Sequence, residues 1–143
     1  TKMGLPLVVI GDGEQKKDLQ NRAGPNVEFL GRVDFTELKR RFGECKALVF
    51  PGEEDFGIVP VEVMAAGRPV IAYGRGGALD TVVDGQTGIL LEEQSVDSLI
   101  EAVSKFEKVS FDSDAIHQHA TGFSGQVFKD GIRALLSQNG IEI

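Results

Sequence analysis

Cysteine, histidine and long apolar runs are all scarce in this sequence of 143 residues. The single cysteine, Cys45, excludes a disulfide within the chain and any metal site built on cysteine pairs. The two histidines, His117 and His119, stand two apart in a predicted helix, so they should lie on different faces and not form a metal-binding pair. No apolar run is long enough to cross a membrane and no signal peptide opens the sequence, so we expect a cytoplasmic protein.

Basic residues are also few, since the sequence has 15 lysines and arginines but 22 acidic residues, and the net charge is −7. This balance disfavours nucleic acid or an anionic membrane surface as the main partner, because both require a basic face. A small anionic ligand is still compatible, since backbone amides can hold it locally. With 41% hydrophobic and 26% charged residues, the composition favours one soluble globular domain over residues 1–143.

Short apolar runs alternate with polar or amphipathic stretches along the sequence. The runs predict strands buried in a parallel sheet, and they lie at residues 7–10, 27–30, 47–50, 69–72 and 89–91. The intervening stretches predict helices, one from about Pro60 to Ala66 and one with Ser95 as its N-cap. We therefore predict an α/β fold, a Rossmann-like open parallel sheet with helices on both faces.

Glycine-rich turns follow the predicted strands. They stand at Gly11–Gly13, Gly31, Gly52–Gly57 and Gly74–Gly77. Because ligands of such sheets bind outside the carboxyl ends of the strands, we expect all of these turns on the ligand-binding edge.

The most informative segment reads F-P-G-E-E-D-F-G-I-V-P-V-E-V-M-A-A-G-R-P-V-I-A. Gly57 can adopt backbone angles that other residues avoid, and it lets a ligand approach closely. The amides of Ile58 and Val59 lead into a helix, whose free N–H groups and positive dipole end favour a phosphate. Glu62, expected in the first turn, can accept two hydrogen bonds from a vicinal diol such as ribose. Glu54, on the loop, can reach the hydroxyls of a sugar beyond the phosphates.

Simpler interpretations of these residues stay open. An acidic residue in a first helical turn complements the helix dipole, and Glu53–Asp55 can be a solvated loop. Gly11 and Gly13 can form an ordinary strand-to-helix turn, because Lys16 stands where the third glycine of a dinucleotide-binding fingerprint would be.

The segment resembles the donor-site signature of family 4 (group 1) retaining glycosyltransferases, which have the two-Rossmann-domain GT-B architecture. It carries paired glutamates at the family spacing, F-G-I-V-P-V between them and A-A-G-x-P-V directly after. The match continues through A-Y-G-R-G-G-A-L-D-T-V-V-D-G-Q-T-G-I-L-L and includes V-V-I-G-D-G and F-L-G-R-V upstream. The resemblance covers the chain from Leu5 to about Phe128. The motif A-Y-G-R-G-G-A-L-D-T-V is similar to that of bacterial mannosyltransferase-like members that build polysaccharides.

This resemblance implies a role for each matching residue. Glu54 is the candidate catalytic residue and would hold a hydroxyl of the donor sugar, while Glu62 would hold the ribose hydroxyls. The other implied donor contacts are Phe56, Gly57, Ile58 and Val59 at the sugar and diphosphate, Arg32, Val33 and Leu38 at the base, and Gly11 and Gly13 near the nucleotide. No metal or other cofactor is implied, because the sequence has no Asp-x-Asp pair placed for a bridging ion.

The implied parent enzyme transfers a hexose from a GDP-mannose or UDP-glucose type of donor to a glycan or lipid-linked acceptor in polysaccharide biosynthesis. The transfer retains the anomeric configuration of the sugar. Retention without an evident protein nucleophile suggests front-face attack, with the leaving phosphate helping to deprotonate the acceptor. The resemblance allows the full enzyme to associate peripherally with the inner face of the membrane.

Several parts of the family pattern have no counterpart in the sequence. These are the amino-terminal acceptor domain, the first strand of the donor domain, and the arginine and lysine after it that clamp the diphosphate. We therefore expect this chain to be inactive by itself. Two other classes stay open, a sugar-nucleotide epimerase of the same architecture and a non-catalytic nucleotide-binding module.

Overall fold

The computed structural model describes residues 1–141. They form two compact units, Thr1–Arg41 (unit 1) and the described residues from Phe42 onward (unit 2). Unit 1 contains β1 (Leu7–Ile10), α1 (Lys16–Arg22), β2 (Val27–Gly31) and most of α2 (Phe35–Glu44). Unit 2 contains β3 (Leu48–Phe50), α3 (Ile58–Ala65), β4 (Val70–Tyr73), α4 (Ala78–Thr81), β5 (Gly88–Leu91), α5 (Val96–Phe106), α6 (Ser113–Thr121) and α7 (Gly125–Gln138). Among these residues, no helix has the length and apolar character needed to span a bilayer.

The strands pair in parallel, as the apolar runs predict. Strand β1 pairs with β2, and β3, β4 and β5 pair in that order, so the described residues contain two hydrogen-bonded sheets. This confirms the parallel α/β class, with the difference that the expected single sheet is divided into a two-stranded and a three-stranded part. Each predicted strand is found within one residue of its expected bounds.

The core of unit 2 lies on both faces of its three-stranded sheet. Because side chains alternate along a strand, Val70 and Ala72 of β4 join one buried cluster and Ile71 joins the other. Residues of α3, α4 and α6 complete the first cluster, and Ala102 of α5 completes the second. Helices therefore cover both faces of this sheet, as expected for the fold class.

Strand β1 is less buried than its sequence indicates. Its apolar run predicts a strand enclosed on both faces, but Leu7 and Val8 are 42% and 39% exposed. Within unit 1, β1 has β2 as its one ladder partner, and neither α1 nor α2 has a buried residue to cover it. The prediction of a buried strand is therefore wrong for β1 in this structure.

Helix α3 begins two residues earlier than predicted. It starts at Ile58, directly after Gly57, so Pro60 is its third residue and Glu62 lies in the second turn. Proline is tolerated at this position because the first turn has no acceptor for its missing N–H. The expectation that Glu62 lies in the first turn is wrong, and its exposed side chain is one turn further from the helix end.

The other predicted helix signals are confirmed. Ser95 caps α5, since its Oγ accepts a hydrogen bond of 3.1 Å from the Ser98 amide. Gly67 follows α3 with a φ of +73°, and Ser113 at the start of α6 donates a 2.8 Å hydrogen bond to the Gly67 carbonyl. This bond fixes α6 against the end of α3.

Candidate functional site

The loop of residues 51–57 leads into an uncapped helix end. Gly57 has φ +80° and ψ +70°, a left-handed conformation that turns the chain into α3. No side chain caps the helix and its first turn has no acidic residue, so the positive end of the helix dipole is not neutralised there. Ile58 and Val59, which carry the first amides of the helix, are 66% and 39% exposed. This helix end can therefore accept an anion.

Glu54 and Glu62 stand on either side of this helix end. Glu54 lies on the exposed loop, and Glu62 is exposed in the second turn of α3. Among the described residues, neither carboxylate has a hydrogen-bond or ion-pair partner. Both side chains are available to accept hydrogen bonds from hydroxyl groups of a ligand.

A groove of 470 Å³ runs beside α3 and the end of α6. Its lining includes three predicted donor contacts, Phe56, Ile58 and Glu62, and is mostly apolar. The imidazole of His117 also lines it. The structure thus places Phe56, Ile58 and Glu62 at one surface, whereas Glu54, Gly57 and Val59 are outside the lining of this groove.

The glycine-rich turn after β4 packs directly against the loop. The Gly77 amide donates a 2.8 Å hydrogen bond to the Glu54 carbonyl oxygen. A Cβ atom at Gly76 would collide with this same oxygen, and one at Gly77 would collide with the Phe56 backbone. The two glycines therefore allow a backbone-to-backbone contact, which confirms that the turns after β3 and β4 share one edge. Sequence reasoning assigned no contact to this pair, although adjacent glycines at a strand end signal such a close approach.

His117 and His119 make separate structural contacts from α6. His117 Nδ1 lies 2.6 Å from the Ala65 carbonyl oxygen at the end of α3, and His119 Nε2 lies 2.8 Å from that of Thr81 at the end of α4. Because a carbonyl oxygen only accepts hydrogen bonds, each of these ring nitrogens carries a proton. The prediction that the two histidines face different ways is confirmed.

Phe123, immediately after α6, extends this arrangement to the loop. Its ring meets His119 edge-on at 5.4 Å and meets Phe56 edge-on at 6.1 Å between centroids. Sequence reasoning missed this cluster because Phe56 is distant in the chain from His119 and Phe123, and no local pattern links it to them.

The predicted glycines of unit 1 lie where β1 ends. The Gly11 amide donates a 2.8 Å hydrogen bond to the Gly31 carbonyl, which ties the carboxyl ends of β1 and β2 together. Gly11 has a φ of +127°, and a Cβ at either Gly11 or Gly13 would meet no atom within 4 Å. The space beside both glycines is open, and their contact with a nucleotide stays a prediction.

Of the three residues predicted to contact the base, Arg32 and Val33 lie between β2 and α2, and Leu38 lies within α2. Arg32 is exposed, whereas Val33 and Leu38 are half-buried. Asp34 fixes the start of α2, since its Oδ1 accepts a 2.8 Å hydrogen bond from the Glu37 amide. The role of Arg32, Val33 and Leu38 in base binding stays a prediction.

A second groove, of 380 Å³, carries the other charged residues near the glycine-rich turn. Arg75 is exposed at its rim, as expected for a loop residue. Lys105 Nζ lies 2.8 Å from Asp84 Oδ2 in this groove. Burial alone would raise the pKa of Asp84, but the hydrogen bonds from Lys105 and the Leu90 amide outweigh it and lower that pKa. This ion pair joins α5 to the turn before β5.

A known protein family matches most of this chain. The model of the family described as "Glycosyl transferases group 1" matches residues 2–122. The chain belongs to this family. Membership favours a group 1 glycosyltransferase over an epimerase.

The proteins that this group 1 chain resembles include a GDP-mannose-dependent enzyme and a structure bound to UDP-glucose. An uncharacterized glycosyltransferase of Methanocaldococcus jannaschii is 39% identical over 66% of this chain and 28% of its own length. A GDP-mannose-dependent monoacylated alpha-(1-6)-phosphatidylinositol monomannoside mannosyltransferase of Corynebacterium glutamicum is 30% identical over 84% of this chain and 33% of its own length. The solved structure of Anabaena HepE in complex with UDP-glucose covers 93% of this chain and 41% of HepE, with a TM-score of 0.65 and 25% sequence identity. The chain therefore spans less than half the length of these proteins.

Proposed function

We propose that this chain binds a nucleotide diphosphate sugar and forms the donor side of a retaining hexosyltransferase. The observation that carries the proposal is the loop of residues 51–57 running into the uncapped end of α3, with one unpaired glutamate on each side. A nucleotide sugar has matching groups in the same order, namely sugar hydroxyls, a diphosphate and a ribose diol.

The diphosphate is assigned to the start of α3. The amides of Ile58 and Val59 have no carbonyl partner within the helix, and the helix dipole adds positive potential at that point. No acidic residue in the first turn opposes an anion there. Gly57 supports this assignment because its φ of +80° turns the chain into α3 and it places no side chain beyond a hydrogen atom at the helix end.

The two glutamates are assigned to the hydroxyl groups on either side of the phosphates. Glu62, exposed beside the groove of α3, accepts hydrogen bonds from the ribose diol. Glu54, on the loop, accepts a hydrogen bond from the transferred sugar. Each hydrogen bond to a charged group contributes about 1.5–3 kcal/mol, so loss of one should weaken binding roughly tenfold or more.

The donor is a GDP-mannose or UDP-glucose type of nucleotide sugar. The support is the GDP-mannose dependence of the corynebacterial relative and the UDP-glucose bound to HepE. The acceptor is a glycan or a lipid-linked glycan, and it is held by an amino-terminal domain of the parent enzyme. Without that second domain this chain should transfer no sugar, because positioning two substrates supplies roughly 7–11 kcal/mol of a catalytic advantage.

Calorimetric titration tests the proposal with four ligands, UDP, GDP, UDP-glucose and GDP-mannose. We expect one base to bind and its nucleotide sugar to bind more tightly. Glu62→Ala should weaken nucleotide and nucleotide sugar alike, whereas Glu54→Ala should reduce only the additional affinity that the sugar contributes. Glu101→Ala on α5 is the control, and it should leave affinity unchanged. Unchanged nucleotide affinity in a folded Glu62→Ala protein would overturn the donor-site assignment.

A further inference from the structure

The loop of residues 51–57 has few supports of its own. Its residues from Pro51 to Phe56 are all exposed, and it contains no helix or strand. Exposed segments with few buried contacts open locally at low free energy. Whatever holds this loop in one conformation must therefore come from outside it.

The first external support is a backbone contact that leads to a buried residue. The Gly77 amide holds the Glu54 carbonyl oxygen, and Thr81 Oγ1 in turn donates a 2.9 Å hydrogen bond to the Gly77 carbonyl. Thr81 is fully buried, so this support is anchored in the core of unit 2.

The second support reaches the other end of the loop from the same buried residue. His119 Nε2 donates to the Thr81 carbonyl oxygen, and the His119 ring packs edge-on against Phe123. Phe123 then packs edge-on against Phe56. Two series of contacts that both begin at Thr81 thus hold the loop, one at Glu54 and one at Phe56.

We propose that His119 and Phe123 are positioning residues that fix the loop of residues 51–57 and thereby the reach of the Glu54 carboxylate. The inference rests on the proposed function for the role of Glu54 toward sugar, but the fixing of the loop is independent of any ligand. Phe123 contacts the Phe56 ring edge-on, and it acts on the loop through that ring.

Amide hydrogen exchange of the unliganded chain tests the fixing of the loop. Loss of one aromatic contact should raise the exchange rate of the Gly77 amide by about two- to tenfold in Phe123→Leu. Phe123→Tyr keeps the ring and should retain the protection. Phe106→Leu is the matched control, because it breaks the stacked Phe106–Phe111 pair of the other core cluster and should leave Gly77 unaffected. Equal exchange at Gly77 in Phe123→Leu and the wild-type chain would overturn the proposal.

A double-mutant cycle tests the consequence for Glu54. We expect Phe123→Leu to reduce the additional affinity for nucleotide sugar over nucleotide by about two- to tenfold, and to have no such effect in the Glu54→Gln background. An effect of full size in both backgrounds would show that Phe123 does not act through Glu54. A wild-type chain that binds no nucleotide sugar refutes the proposed function and the role toward Glu54, and the exchange experiment decides the fixing of the loop separately.

Discussion

Replacement of Gly77 by alanine should displace the loop that carries Glu54. Gly77 is buried, and a Cβ atom there would overlap the Cα, carbonyl carbon and oxygen of Phe56. Backbone atoms cannot rotate away as a flexible side chain can, so either the turn after β4 or the loop must move.

The burial of the turn and the exposure of the loop indicate that the loop moves. Keeping the loop in place would overpack a close backbone contact, at a cost of about 1–3 kcal/mol or more. Moving the loop gives up the hydrogen bond from Gly77 to Glu54, about 0.5–1.5 kcal/mol, and the contact between Phe56 and Phe123, about 0.5–1.5 kcal/mol. The turn itself is fixed by the buried Thr81, whereas the loop is exposed, so displacement of the loop is the easier route. We expect a loss of about 1–3 kcal/mol in the free energy of unfolding.

Urea unfolding and calorimetric titration measure the two effects of Gly77→Ala. Stability should fall by this modest amount, while the additional affinity for nucleotide sugar over nucleotide should be largely lost. Gly52→Ala is the matched control in the same loop, because a Cβ at Gly52 meets nothing within 4 Å. Unchanged stability together with unchanged affinity in Gly77→Ala would refute the steric reasoning.

Three further predictions concern stability and reactivity. The hydrogen bonds from Arg40 and Arg41 lower the pKa of Glu37 from 4.5 to about 2, so its stabilising effect is complete above about pH 4.5 and is lost as the pH falls to about 2. Urea unfolding of Glu37→Gln should therefore show a loss of stability at pH 7 and none near pH 2. Ile116→Ala should cost about 2–5 kcal/mol in the same assay, since Ile116 is fully buried. Burial raises the pKa of the Cys45 thiol, so it should react with a disulfide reagent at pH 7.5 several-fold more slowly than free cysteine, and equal rates would contradict its burial.

The local sequence pattern was sufficient to predict the strands and helices, but not to predict what packs against them. The apolar runs predicted every strand, because a buried strand needs apolar residues on both faces wherever it is placed. The exposure of β1 was not predictable in this way, since burial depends on what packs against a strand and not on its own residues. The start of α3 was missed because Pro60 is compatible with several positions in a first turn, and the conformation of Gly57 decides among them.

The candidate site also has residues that the sequence predicted and contacts that only the structure shows. Glu54 and Glu62 were identified from their spacing, which is a local property of one loop and one helix. The contact of Phe123 with Phe56 joins residues far apart in the sequence, and no period or motif encodes such a pair. It follows from the packing of α6 against α3, which the apolar residues of each helix allow but do not specify by themselves.

The contact of Gly76 and Gly77 with the loop has a consequence for how this site can change. These glycines touch main-chain atoms of Glu54 and Phe56, and main-chain atoms are the same whatever residue carries them. Substitutions at Glu53 or Asp55 can therefore alter the chemistry offered to a ligand while the path of the loop is preserved. We expect changes in ligand selectivity to arise first at these positions, because substitutions there present different side chains to the ligand on an unchanged backbone.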